Sequence, residues 1–274
     1  MAKLIEHYGG FCFDTHAQQH VFCPWSILLF LKDPSHAFDN YWYKPAGRPS
    51  VLMKHIARKK LQKPLDFWQT VPMDSSGVLP TQNYELMNPD SLLQQTGYLT
   101  IRSADSVTGE LLLGYPNREV SASMANVYAQ VMTGKPADVS LPLLTYLNVG
   151  EITEAVGYIN HLLNTLNDQH YRHRDEFSLQ AFIQMLLIGM TSRPRIEVHT
   201  ARGRSDLEVD VGYKHWMFAL KYAYRASEAP KRLKEGVDQI KNKAYGLGFH
   251  GKTLCRLALV FDQEQRQIVS WERV

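Results

Sequence analysis

The sequence predicts an α/β fold in which a mixed sheet is flanked by helices. Three observations carry that prediction. Residues 205–211 and 215–222 alternate polar and apolar side chains around Gly212, the period-two pattern of two half-buried strands in a hairpin. Residues 229–246 place Leu233, Val237, Ile240 and Ala244 on one stripe, the spacing of an amphipathic helix. Residues 254–261 and 267–271 then read as further strands, so a strand pair is followed by a helix and more sheet.

The remaining elements follow in order along the chain. Helical stretches at 25–32 and 51–61 and a strand-turn pattern at 97–115, punctuated by Pro and Gly, make residues 1–147 a mixed α+β accessory domain. The second domain spans 148–274 and opens with 151–166, where Val156, Ile159, Leu162, Leu163 and Leu166 follow helical spacing. A polar, histidine-rich stretch, NDQHYRHRDE, separates it from a helix at 176–190, and strands follow to about residue 221.

At 274 residues the chain has room for one large or two modest domains, and its 45% hydrophobic and 21% charged content is ordinary for a globular protein. The net charge of +3 does not announce a nucleic-acid binder, but 193–256 holds 14 Lys/Arg against 7 Asp/Glu. Such an excess suits a phosphate-facing surface, although a solvated face also accounts for many such runs. Three widely spaced cysteines (Cys12, Cys23, Cys255) form no framework, which points to a reducing compartment and a cytoplasmic location. No 18-residue apolar run and no charged-then-apolar leader is present, so no membrane partner is expected.

Within the hairpin, Leu207, Val209 and Val211 share one face and Asp206, Glu208 and Asp210 the other. On the second strand Trp216, Phe218 and Leu220 share a face, with Ala219 and Lys221 opposite. A carboxylate at the mouth of one strand beside a lysine on its neighbour suits phosphodiester chemistry. Mg²⁺ takes hard oxygen ligands, activates a bound water, and leaves the lysine to orient that water or hold developing charge. The bland alternative is that Asp206 and Lys221 are edge charges that merely pair. Glu208 and Asp210 share the Asp206 face but lie about 7 and 14 Å along the strand, too far to stand in for a missing ligand. Glu176 sits in the first turn of its helix, where the dipole alone justifies an acid. Glu197, on a strand face with His199, is a weaker candidate.

These residues resemble the PD-(D/E)XK nuclease superfamily and, more narrowly, the nuclease-like domain of prokaryotic AAA-ATPase-like proteins. The matching segments are DEFSLQAFIQMLL with Glu176, IEVHTARGRSDLEV, MFALKYA, GVDQIKNKAYG with Gln239 and Tyr245, and LALVFDQEQRQIVSW. Upstream, CPWSILLFL, YWYKP, LLQQTGYLTI and LLLGYPNREV resemble the segment that links the ATPase core to the nuclease in those proteins; the core itself, with its phosphate-binding loop, is missing. The resemblance implies a restriction-endonuclease-like fold for 148–274 and a Mg²⁺ or Mn²⁺ ion held by Asp206 and Glu176. It implies catalytic assistance by Lys221, with Gln239 and Tyr245 contacting substrate or that lysine.

Ala219 stands where the family carries an acid. A methyl cannot hold a metal, so the expected activity is metal-dependent endonuclease cleavage of nucleic acid, DNA above all, in an inactivated form: either a carboxylate deliberately replaced or a protein that has lost cleavage. The rival expectation is a non-catalytic adaptor that binds nucleic acid or protein in a defence or mobile-element system. Further partners to look for are a second copy of the chain and a separate ATPase or defence-system protein.

Three other features are set aside. GLGFHGKT, residues 246–253, satisfies the phosphate-loop pattern, but a helix precedes it and a strand follows, the reverse of what cradling phosphate requires. His161, His170 and His173 near Asp175 and Glu176 lack the paired spacing of a zinc site. The aromatics Trp25, Phe30, Tyr41, Trp42 and Tyr43 read as packed core before base-stacking platform.

Overall fold

The chain divides into two units, Met1–Val127 and Tyr128–Val274. The computed structural model describes residues 1–34, 38, 40–41, 69–74, 88–105, 107–134, 139–166, 176–190, 195–200, 203–242 and 251–274. For Pro89, 176–178, 195–200 and 203–206 the description is of the backbone. The helix expected at 51–61 and the histidine-rich stretch 167–175 lie outside the described residues.

In the first unit, α1 (Ala2–Tyr8), β1 (Phe11–Cys12), β2 (His20–Val21) and α2 (Pro24–Lys32) precede β3 (Val71–Asp74), α3 (Pro89–Gln95), β4 (Thr100–Ala104) and β5 (Glu110–Gly114). Helix α4 (Arg118–Thr133) begins in this unit. The strand-turn pattern at 97–115 is the antiparallel β4–β5 pair, with β3 on the other side of β5. Its turn forms because the Asp105 carboxylate accepts the amides of Val107 at 2.7 Å and Thr108 at 3.1 Å before Gly109 turns at φ +72°. Tyr8, Ile101, Leu113, Val120 and Met124 are fully buried. Phe30 stacks on Phe38 at 5.1 Å and Tyr41 lies 5.8 Å from Tyr8, as a packed cluster. Trp25 departs from that expectation and is 51% exposed, because α2 turns Ser26 inward and carries Trp25 outward. Trp42 and Tyr43 lie outside the described residues.

The second unit holds α5 (Leu141–Val149), α6 (Ile152–Leu163), α7 (Glu176–Gly189), β6 (Arg195–Thr200), β7 (Gly203–Val211) and β8 (Lys214–Ala223). A 3₁₀ turn at Ala226–Glu228 leads into α8 (Ala229–Asn242), β9 (Thr253–Asp262) and β10 (Gln267–Arg273). The five strands lie in the order β10-β9-β8-β7-β6. All neighbours are antiparallel except β8 and β9, and α8 is the crossover that a parallel pair requires. This is a mixed α/β fold of restriction-endonuclease type.

The half-buried reading of the hairpin needs one correction. Met217, Ala219, Val237, Ile240 and Ala258 form one buried cluster beneath α8. Trp216, Phe218, Leu220 and Tyr222, on the opposite face of β8, are buried as well. Both faces are covered because α8 packs on one side while α7 also contacts β7 and β8. Even Glu208, on the polar side of the pattern, is only 1% exposed.

Candidate active site

Cross-strand register locates the site. Strands β7 and β8 pair from Val211↔Lys214 to Leu207↔Phe218. Beyond that point β7 runs on to Gly203 against β6, while β8 runs on to Ala223 against β9. The sheet forks there, and Asp206 and Ala219 are the first residues past the last shared pair. Lys221 follows two residues along β8, on the face of Ala219.

Position 219 is closed. Ala219 is 0% exposed and packs with Met217, Val237, Ile240 and Ala258. Helix α8 comes close here because Gly236 presents no side chain. A Cβ at 236 would lie 3.3 Å from Ala258 Cβ, 3.4 Å from Lys221 Cγ and 4.0 Å from Ala219 Cβ. Lys221 is half-buried, its stem beside Gly236, and Nζ donates to the Leu220 carbonyl at 3.2 Å. Gln239 is also half-buried, one helical turn beyond Gly236 on α8.

The structure therefore brings Ala219, Lys221 and the α8 segment bearing Gln239 together at the fork, with the backbone of Asp206 at its mouth. Glu176 is the first residue of α7, which packs on β7 and β8. The side chains of Asp206 and Glu176 are outside the description, and Tyr245 lies outside the described residues altogether. Among the described residues no group of three or more His, Cys, Asp or Glu is placed to hold a metal ion. Position 219 offers a methyl in an apolar cluster and supplies no metal ligand.

Residues 251–253 fit the rejection of the phosphate loop: α8 ends at Asn242, β9 begins at Thr253, and Lys252 is engaged elsewhere. Its Nζ lies 2.8 Å from Asp210 Oδ2, and Asp210 Oδ1 lies 2.7 Å from His215 Nδ1. His215 Nε2 lies 3.5 Å from Glu208 Oε2, a looser ion contact at the outer limit of hydrogen-bond length. Sequence reasoning noted both carboxylates and missed their partner. The signal was present, because a tight turn at Gly212 sets Asp210 directly across from His215. Burial alone would lower the affinity of His215 for its proton, but its contacts with Glu208 and Asp210 outweigh this and raise its pKa. Burial pushes the Asp210 carboxyl up, and the bonds from Lys252 and His215 more than reverse that, leaving it below the ordinary carboxylate value.

Comparison with known proteins gives one family-level finding. Residues 174–271 match the model of the PD-(D/E)XK nuclease superfamily. That span includes Glu176, Asp206, Ala219, Lys221, Gln239 and Tyr245, and it stops short of the first unit. No curated protein matches the chain.

Proposed function

We propose that residues 148–274 act on nucleic acid, DNA in the first place, through a phosphodiester-hydrolysing site at the fork of β7 and β8, and that hydrolysis is suppressed because Ala219 supplies no ligand. The observation that carries this reading is the register: Asp206 and position 219 are the first residues past the last β7–β8 pair, inside the span that matches a nuclease superfamily. Asp206 and Glu176 would hold Mg²⁺ or Mn²⁺, which when bound supplies a water of lowered pKa and a counter-charge for phosphate. Lys221 sets its ammonium group towards the scissile phosphate, and Gln239 and Tyr245 orient that lysine or the substrate. Residues 1–147 serve as an accessory domain, and their resemblance to the linking segment of AAA-ATPase-like proteins supports a separate ATPase, in a defence system, as a partner.

A second reading is a nucleic-acid binder that does not cut. The burial of Ala219 among apolar side chains, opposite Gly236, favours it: the position is filled by packing and is not an open ligand site. Ala219→Glu separates the two. The variant and the parent chain are incubated with Mg²⁺ or Mn²⁺ and with single- and double-stranded DNA and RNA. Under the first reading the variant cleaves, the parent cleaves little or not at all, and Asp206→Asn in the variant abolishes cleavage. A folded variant that binds and leaves every substrate intact establishes the binder.

A further inference from the structure

The hairpin of β7 and β8 carries a second group of ionisable side chains, running from Glu208, one pair back from the fork, toward the turn and unused by the proposed reaction. His215 is 1% exposed, and each of its ring nitrogens faces a carboxylate: Nδ1 at 2.7 Å from Asp210, Nε2 at 3.5 Å from Glu208. Glu208 is itself 1% exposed. Asp210 in turn holds Lys252, the residue immediately before β9, at 2.8 Å. A neutral imidazole has one N–H and one lone pair. In either tautomer it would aim a lone pair at a carboxylate, and it would withdraw the positive charge that the imidazolium sets beside the buried Glu208. The imidazolium donates to Asp210 and turns its second N–H toward Glu208 at ion-contact distance.

We propose that Glu208, His215, Asp210 and Lys252 form a pH-sensitive clasp that ties the β7–β8 hairpin to the turn leading into β9, closed while His215 carries both ring protons and loosened when it gives one up. Further cations lie on neighbouring segments, among them Arg195 of β6, which stands in register with Glu208. Lys214, beside His215 on β8, donates to the Asn148 carbonyl at the end of α5. Arg256 of β9 is in register with Met217, one side-chain position along from His215, and Lys241 is exposed near the end of α8. Because the folded pKa of His215 is raised, its stabilisation is complete below the unfolded imidazole value, about 6.5. It is lost as pH climbs through the folded value. Asp210 is lowered, so its share is present above the unfolded carboxylate value, about 3.9, and is lost only as pH falls through the lower folded value. The clasp is thus closed in mild acid and opens on the alkaline side.

The test uses the full chain. The His215 imidazole is titrated by NMR, and thermal unfolding is followed from pH 5.5 to 8.5 for the parent chain and for His215→Gln. Hydrogen exchange of peptides covering 203–218 and 251–256 is read at both ends of that range. The expected results are a His215 titration above the ordinary imidazole value, a parent Tm that falls by several degrees more than that of the variant as pH rises, and faster alkaline exchange confined to those peptides beyond the intrinsic rate. A His215 that titrates at or below the ordinary value overturns the proposal, as do parallel Tm profiles. If His215→Gln does not fold, Lys252→Met and the titration of the parent chain decide: the titration must still lie above the ordinary value, and the Lys252 variant must lose exchange protection at 251–256.

Discussion

A methyl group at position 219 and a hydrogen at position 236 fit together. The backbone of α8 comes close to β8 because Gly236 has no side chain and Ala219 only a methyl to hold them apart, and the stem of Lys221 is pressed against the same glycine. Gly236→Leu should therefore lower stability by about 1–3 kcal/mol, the usual cost of overpacking a filled contact. It should also displace Lys221, so thermal unfolding and nucleic-acid affinity should fall together. Unchanged unfolding would show that α8 can lift without loss. The strand positions of the candidate residues were legible. Period two alone set Asp206 on one strand and Lys221 with position 219 on the next, and the closeness of α8 was not legible because a helix-to-strand distance is fixed by tertiary packing. The same limit explains Glu208, whose place on a polar face concealed its burial against His215.

Elements with one clear apolar stripe or strict alternation were readable, and α6, α8, β7, β8 and β9 lie where their patterns put them. Helix α4 was not identified from the sequence. Val120, Met124, Val127 and Val131 recur at helical spacing. Ser121, Ser123, Asn126, Gln130 and Thr133 are buried as well, so the polar side chains do not mark a solvent face and the contrast between faces is weak. Two of these hydroxyls are satisfied within the helix, Ser123 donating to the Glu119 carbonyl at 2.8 Å and Thr133 to Ala129 at 2.7 Å. Between elements, α6 is tied to β10 by one amide. Asn160 Nδ2 donates to the Ile268 carbonyl at 2.9 Å, and its Oδ1 accepts the Ile268 amide at 2.7 Å, beside the register shift between Ile268 and Ser270. Asn160→Ala removes both partners and should cost roughly 1–2 kcal/mol. Thermal unfolding measures the loss, and faster hydrogen exchange at Ile268 should accompany it. Slow exchange at Ile268 in the variant would show that another group takes over.

For the molecule as a whole, charge distribution matters more than net charge. The sum is only +3, yet residues 193–256 carry 14 Lys/Arg against 7 Asp/Glu, on the part of the chain that holds the fork. Binding to duplex DNA should weaken steeply with salt, log K falling by roughly 0.9 per neutralised phosphate for each log unit of salt. Lys221→Ala should reduce affinity more than Lys32→Ala, since Lys32 is an exposed cation at the end of α2 in the other unit. Anisotropy titrations at low and moderate salt test this, and equal effects of the two substitutions would reduce the basic region to a solvated face.

The single amide that joins α6 to β10 also sets an order of events. Asn160 and Ile268 are separated by 108 residues, and the parallel pairing of β8 with β9 begins only after α8 has been laid down between them. The β7–β8 hairpin is the local event, available as soon as its turn has formed. The central parallel pair and the α6–β10 tie wait on much larger loop closures, which slow a fold rich in distant contacts. A growing chain that has passed Ala223 but not yet Thr253 carries a finished hairpin whose β8 edge is still unclaimed by β9, and that half-built sheet edge is where this protein is most open to pairing with the wrong strand.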